Sequence, residues 1–97
     1  MGLAILDHFA SLMSIPEHPK TSFTPTQGQY LAFIHAYTKV IGRPPAQADL
    51  QRYFRVTPPT VHQMILNLER ANLIRRTPRQ ARSIEVIIDI DELPVLR

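Results

Sequence analysis

Arginine is concentrated in the middle of this 97-residue chain, where it gives the sequence the means to hold a polyanion. Residues 43–82 contain eight arginines against Asp49 and Glu69, a net charge of +6, whereas residues 1–42 are neutral and residues 83–97 sum to −3. Guanidinium groups match the geometry of phosphate oxygens and can bind them through two hydrogen bonds at once. The pattern makes nucleic acid the first partner to consider, and a solvated charged face is the alternative.

Polar side chains suited to base edges follow in the same block, in the first turns of a predicted helix that begins after Thr57. At 100° per residue, Gln63 lies on the helix face opposite the apolar stripe. Gln63 can form two hydrogen bonds to adenine, and Thr60 can contact a thymine methyl group or a phosphate. Arginines of a following hairpin suit phosphate or minor-groove contacts. The predicted DNA-binding residues are Thr57, Pro59, Thr60, His62, Gln63, Asn67, Arg76, Arg79 and Arg82.

The sequence contains few residue patterns that indicate catalysis or metal binding. The chain has no cysteine, its four histidines fall on different predicted elements, and no serine has the flanking glycines of a nucleophile elbow. We therefore expect no catalytic residue, no metal, no cofactor and no small-molecule ligand. No apolar run approaches the ~18–20 residues of a membrane span. Residues 1–13 also lack the basic flank of a signal peptide, so we predict a cytoplasmic protein without membrane contact.

Helical periodicity predicts the elements that must position these side chains. Thr24 and Gln27 form a capping-box pattern with Pro25 at the first helical position, and Gly42 suits the left-handed end of that helix. Asn72 is the expected left-handed residue at the end of a later helix. The predicted helices cover residues 3–13, 24–42, 46–54 and 57–71, and residues 14–23 have the composition of a linker.

From Leu73 onward the apolar period changes from 3.6 residues to 2, which predicts strands over 73–77 and 81–88 with a turn between them. The predicted fold is mostly α with a small β-hairpin (α+β). It is a winged helix-turn-helix with a three-helix core, a two-stranded wing and an extra N-terminal helix. The predicted divisions are the N-terminal helix and linker (1–23), the DNA-binding domain (24–90) and an acidic tail (91–97).

Five short motifs stand in order between residues 23 and 88. They are Thr24-Pro25-Thr26-Gln27, Gly42-Arg43-Pro44-Pro45, Thr60-Val61-His62, Asn72-Leu73-Ile74-Arg75-Arg76 and Ala81-Arg82-Ser83-Ile84-Glu85-Val86. Together they resemble the N-terminal DNA-binding domain of the LexA family of SOS-response repressors. The resemblance implies a winged helix-turn-helix that binds palindromic operators as a dimer. It places base-reading residues at Thr57, Pro59, Thr60, His62 and Gln63.

The sequence departs from the family's pattern in four places. It stops about where the family's linker begins, so we expect neither the self-cleaving peptidase domain nor the dimerisation surface of that domain. More than twenty residues precede the first helix of the DNA-binding domain. Ala46 replaces a hydroxyl cap, and Pro59 stands where a polar base-contacting residue is common. Leu66 occupies an outward position that usually carries lysine, and the operator sequence cannot be transferred from the family.

The N-terminal helix offers a substitute for that dimerisation surface. Its apolar face consists of Leu3, Leu6, Phe9 and Met13. We predict that this face packs across a partner subunit to form a homodimer, and packing over the chain's own core is the alternative.

These observations predict a sequence-specific regulator that binds double-stranded DNA, most simply a repressor that occupies an operator. The alternative is a winged-helix protein–protein interaction module in a larger assembly, because this fold serves both purposes. An architectural DNA-binding protein without sequence preference is a third possibility. The pairing of Thr60 with Gln63 favours the first, because it suits base edges and has no special value in a protein groove.

Overall fold

A computed structural model describes residues 22–97 of the chain. Three α-helices are followed by a two-stranded antiparallel hairpin and a single 3-10 turn. In chain order they are α1 (Pro25–Ile41), α2 (Gln47–Phe54), α3 (Pro58–Arg70), β1 (Ile74–Arg75), β2 (Glu85–Val86) and the 3-10 turn Ile90–Glu92. This order confirms the predicted three-helix core with its two-stranded wing.

The ends of α1 follow its sequence. The Thr24 hydroxyl accepts the backbone N–H of Gln27, and the Gln27 side chain accepts the backbone N–H of Thr24, at 3.0 and 2.9 Å. At the other end Gly42 has a φ of 90°, a left-handed conformation that costs glycine little. The capping box and the glycine stop are therefore confirmed, and they define the length of the helix that the rest of the domain packs on.

The turn between α2 and α3 is tight. Arg55 closes α2 in the left-handed conformation with a φ of 57°, and its N–H donates to the carbonyl of Gln51. Thr57 then precedes α3, which starts with Pro58 as the sequence predicts. Asn72, the predicted left-handed residue after α3, has a φ of 60°. This pair of left-handed residues turns the chain sharply at both ends of α3.

The core lies between the three helices and the inner face of the hairpin. From α3 it takes Val61, Ile65 and Leu68, which were predicted to face inward, while the fourth predicted residue, Met64, is half-buried against them. Burying such side chains contributes about 1.5–3 kcal/mol each, so the apolar stripe fixes how α3 is rotated. The buried cluster consists of Tyr30, Leu31, Ile34, Leu50, Val61, Ile65, Leu68, Leu73, Ile74 and Ile84.

Aromatic rings fix α2 against α1. The rings of Tyr30 and Phe54 stack in parallel with their centroids 4.0 Å apart, and Phe33 lies 4.5 Å from Tyr53. Burial raises the pKa of the Tyr30 hydroxyl above its ordinary value. Offset aromatic pairs add to the stabilisation from burial. Tyr30 is buried, and Phe33 and Phe54 pack against the core, so these three rings are committed to the core rather than available to stack on bases.

The hairpin pairs over two residues in each strand, which is shorter than the sequence predicts. Ile74 stands opposite Val86, and Arg75 stands opposite Glu85. Toward the tip the backbone N–H of Thr77 donates to the Ser83 hydroxyl at 2.9 Å, and Pro78 has no N–H to give. The ladder cannot continue past this point. The predicted strands over 73–77 and 81–88 are therefore wrong in length, although the observed strands lie within the predicted ranges.

Residues 90–97 pack back on the helical body through the amide of Gln29. Its Nε2 donates to the carbonyl of Val95 at 2.9 Å, and its Oε1 accepts the N–H of Arg97 at 2.8 Å. Gly28 permits this approach, because a Cβ there would lie 3.0 Å from both Phe23 and Pro94. The segment that contains the predicted acidic tail (91–97) thus has specific contacts with α1.

Gln29→Ala is expected to lower the free energy of unfolding by about 1–2 kcal/mol, because it removes two hydrogen bonds at once. It should also speed hydrogen exchange at the Arg97 amide, which loses its acceptor. Urea unfolding and amide exchange measure the two effects. Gln51→Ala, the same change on α2, serves as the control, and equal effects of the two variants would contradict the role of Gln29.

The predicted N-terminal helix with Leu3, Leu6, Phe9 and Met13, and most of the predicted linker, lie outside the described residues. Among residues 22–97, no helix is long and apolar enough to cross a membrane.

Candidate nucleic-acid interface

The outward face of α3 is polar and exposed over its first two turns. Pro59, Thr60, His62 and Gln63 are all exposed, whereas the opposite side of the helix is buried. Because the apolar stripe fixes the rotation of α3, these four side chains must project together from one side of the domain. The structure thus brings together the residues that the sequence predicts for base contacts.

Two consecutive prolines change what the start of α3 can offer to an anion. A helix N-terminus normally presents several free backbone N–H groups to a phosphate. Pro58 and Pro59 have none, so Thr60 is the first residue of α3 with an N–H. The Thr57 hydroxyl does not cap the helix and instead lies 2.9 Å from the Thr60 hydroxyl. Side chains rather than the backbone must therefore supply most polar contacts here.

A row of hydrogen bonds continues along the same face of α3. The Gln63 Nε2 donates to Oδ1 of Asn67 at 3.0 Å, and the Arg70 Nη1 donates to the same oxygen at 3.5 Å. The residues stand at i, i+4 and i+7, which places them on adjacent turns of one helix face. These bonds restrict the side chains before any ligand arrives.

The three arginines that were predicted for the wing differ in their surroundings. Arg79 occupies the hairpin turn with a φ of 65° and is exposed. Arg76 is three-quarters buried, and its Nη2 donates to Oε1 of Glu69 at 2.9 Å, so it ties β1 to the end of α3. Of these three arginines, Arg79 is the one whose guanidinium group has no carboxylate partner within residues 22–97.

Arg82 holds the base of the wing to the corner between α1 and α2. Its Nη1 donates to Oδ2 of Asp49 at 3.1 Å and lies 3.3 Å from both the Tyr37 hydroxyl and the Pro44 carbonyl. The hydrogen bond to Tyr37 and the charge of Asp49 raise the pKa of the Arg82 guanidinium above its ordinary value. About a third of this side chain is exposed, so part of it can still reach a ligand.

Asp49 is the buried partner at the centre of this corner. Its carboxylate accepts the backbone N–H of Ala46 at 2.8 Å and also binds Arg52 and Arg82. The Ala46 hydrogen bond and the two positive charges lower the pKa of this carboxyl despite its burial. At the start of α2 the Asp49 carboxylate thus accepts the N–H of the cap residue Ala46, while no side chain at position 46 caps the helix in return.

The free positive charge lies on a subset of the arginine block. Within residues 22–97, four of its eight arginines are in ion pairs with carboxylates, and the other four are exposed without one. The exposed four are Arg43, Arg55, Arg70 and Arg79. Arg55 lies in the α2–α3 turn and Arg79 in the wing turn, so these charges flank α3 in the chain.

Sequence reasoning did not identify Asp49, Glu69 or Tyr37 as part of the interface, and it left Arg70, although on the outward face of α3, out of the predicted DNA-binding residues. The first three support the wing through arginines that lie distant in the sequence, which no local pattern signals. The i+3 spacing of Arg70 from Asn67 could have indicated their contact. In the part of the chain that the structure describes, no three metal-ligating side chains come together.

A family model for the LexA DNA binding domain matches residues 20–83, which include α1, α2, α3 and the wing turn. The chain belongs to the LexA DNA-binding domain family. It is 32% identical over 69 residues to a LexA repressor from Magnetococcus marinus, and 37% identical over 62 residues to one from Bartonella quintana. The aligned parts are 71% and 63% of this chain but only 30% and 26% of those repressors.

Two solved structures of S. aureus MepR share the winged-helix fold with this LexA-family chain. The complex of MepR with ethidium bromide superimposes with a TM-score of 0.57 at 22% identity, over 88% of this chain and 61% of MepR. A MepR variant from a multidrug-resistant clinical isolate gives a TM-score of 0.56 at 24% identity, over 84% of this chain and 64% of the variant. The predicted fold class is thereby confirmed.

Proposed function

We propose that the chain is a transcriptional regulator that binds a specific sequence in double-stranded DNA and represses by occupying an operator. The observation that carries the proposal is the exposed polar face of α3, which lies within the part of the chain that matches the LexA DNA binding domain. In a helix-turn-helix the second helix of the motif enters the major groove, and here that helix is α3.

The contact residues at the start of α3 and in the wing have proposed tasks in this arrangement. The side chains at the start of α3 meet base edges, and the exposed arginines meet phosphates. Arg76 and Arg82 orient the wing through their carboxylate partners, with the exposed part of each near the DNA backbone. The proposed DNA-binding set remains Thr57, Pro59, Thr60, His62, Gln63, Asn67, Arg76, Arg79 and Arg82.

A single domain of this size covers few base pairs, so we propose that two copies bind the two halves of a palindrome. The N-terminal apolar face of Leu3, Leu6, Phe9 and Met13 is the proposed contact between the copies. Light scattering of the full chain and of a variant lacking residues 1–15 tests this contact. A monomeric full chain, or a dimer that survives the deletion, would rule it out.

Selection from a pool of random double-stranded fragments tests the function itself. The full chain is expected to enrich fragments that share two inverted copies of one short sequence. Binding to all fragments without enrichment would indicate an architectural DNA-binding protein. Absence of DNA binding at moderate salt would indicate a protein–protein interaction module and would contradict the proposal.

Arg79→Ala is expected to make the slope of log affinity against log salt concentration less negative by about 1 for each protomer, because each phosphate contact that is lost no longer releases about 0.9 counterions. The thermal midpoint of unfolding should not change, since Arg79 is exposed and has no carboxylate partner within residues 22–97. Arg82→Ala should lower that midpoint. Lys39→Ala, which removes one exposed charge at the end of α1, is the control. A slope that is equal for Arg79→Ala and the unaltered chain would contradict the phosphate contact.

A further inference from the structure

The row formed by Gln63, Asn67 and Arg70 on the outward face of α3 has a definite direction. One atom, Oδ1 of Asn67, faces both Nε2 of Gln63 and Nη1 of Arg70. A guanidinium group can only donate hydrogen bonds. The Asn67 atom that faces Arg70 must therefore be the oxygen, and this settles which way the Asn67 amide is turned.

The direction of Asn67 determines the direction of the neighbouring amide. Because Asn67 presents an acceptor toward Gln63, Gln63 must present its NH2 group and not its carbonyl oxygen. One of the two Nε2 hydrogens is used in this bond. Gln63 is left with one free N–H and with Oε1 as a free acceptor.

Adenine and guanine require different hydrogen-bond donors and acceptors from the Gln63 amide. In the major groove adenine shows a donor at N6 and an acceptor at N7, whereas guanine shows acceptors at both O6 and N7. One N–H and one acceptor on Gln63 complement adenine. Guanine would need both hydrogens of Nε2, and one of them is already bound to Asn67.

We propose that Asn67 is a positioning residue that makes Gln63 select adenine over guanine, with Arg70 fixing the orientation of Asn67. The inference rests on the proposed function, since it requires α3 to lie in the major groove. It assigns the discrimination between two purines to a residue that need not touch a base. It also predicts that losing Asn67 affects one base substitution and not the others.

The test uses fluorescence anisotropy to measure the affinity of the unaltered chain, Asn67→Ala and Asn67→Asp for four fragments. The fragments carry each of the four base pairs at the position where Gln63→Ala abolishes the preference of the selected sequence. The unaltered chain should prefer adenine over guanine about tenfold, as expected for a two-bond contact. Asn67→Ala should reduce this ratio to about twofold, because it frees the second Nε2 hydrogen, and should leave the penalties for both pyrimidines unchanged.

Asn67→Asp is the matched control, since a carboxylate oxygen still accepts from Gln63 and should keep the adenine-to-guanine ratio near tenfold. An equal loss of affinity for all four fragments in Asn67→Ala would show a general effect on the helix and would overturn the inference. An unchanged adenine-to-guanine ratio in Asn67→Ala, in a chain that still selects one DNA sequence, would overturn the inference about Asn67 and leave the proposed function standing. A chain that selects no sequence would overturn the proposed function and this inference together.

Discussion

Asp49→Ala is expected to lower the free energy of unfolding by about 3 kcal/mol. The carboxylate is buried and accepts from the Ala46 N–H, Arg52 and Arg82. Hydrogen bonds to charged groups contribute about 1.5–3 kcal/mol, and removing one partner leaves half-buried Arg82 without its counter-charge. The change also releases the start of α2 and the base of the wing together, so a single substitution affects two contacts that orient α3.

Urea unfolding followed by circular dichroism measures this loss. Asp91→Ala removes an exposed carboxylate from the 3-10 turn and should change the stability by less than about 0.5 kcal/mol. Similar losses in the two variants would contradict the central role of Asp49.

The contribution of Asp49 also depends on pH in a defined direction. Its pKa in the folded chain is lowered below the ordinary value of 3.8, by the Ala46 N–H first and by Arg82 and Arg52 in addition. A depressed pKa stabilises the folded state above the unfolded value, and this stabilisation is lost as the pH falls through the folded value. The stability difference between the unaltered chain and Asp49→Asn should be constant from about pH 5 to 8 and shrink below pH 3.8. A stability difference that is the same at pH 2 as at pH 7 would contradict a stabilising contribution from the ionised Asp49 carboxylate.

Replacing Thr60 and Gln63 together by alanine is expected to weaken binding to the selected DNA about 100-fold. A two-bond contact to a base is worth about 1–3 kcal/mol, and each 1.4 kcal/mol changes affinity tenfold. Binding to a random fragment should change little, because the exposed arginines that meet phosphates remain. Both side chains are exposed, so the fold should survive the change.

The comparison of the two fragments makes this double variant informative. Gln51→Ala is the control, since it removes an amide from α2 and leaves α3 intact. An equal loss on the selected and the random fragment would assign Thr60 and Gln63 to phosphate contact or to folding, and not to base recognition.

Local chemistry explains why much of the fold could be predicted from the sequence. The Thr24–Gln27 capping box and the left-handed residues Gly42 and Asn72 involve only neighbours in the chain. The inward face of α3 follows from helical spacing alone, which also places Gln63 on the outward face. The candidate interface was predictable to this extent because its residues share one helix.

Contacts between distant residues could not be predicted in the same way. Arg82 binds Asp49 across 33 residues and Tyr37 across 45, and Gln29 binds Val95 across 66. No periodicity or composition signals such pairs. The arginine count therefore overstated the charge that is free to meet DNA, since four arginines of the block have carboxylate partners.

The prediction of the length of the hairpin strands was wrong for a related reason. Alternating apolar residues predict where a strand can run, but pairing also needs a free N–H and carbonyl on both sides. The Ser83 hydroxyl takes the Thr77 N–H, and Pro78 supplies none. A side chain thus ends the ladder two residues after it begins, which leaves Arg79 at the tip of a turn held by Ser83.

The central claim is that the exposed face of α3 reads the sequence of double-stranded DNA. The most direct test is the ratio of affinities of the full chain for the selected fragment and for a scrambled fragment of equal length and composition, at about 150 mM salt. A specific regulator is expected to give a ratio of about 1,000 or more. A ratio near 1 would contradict the claim.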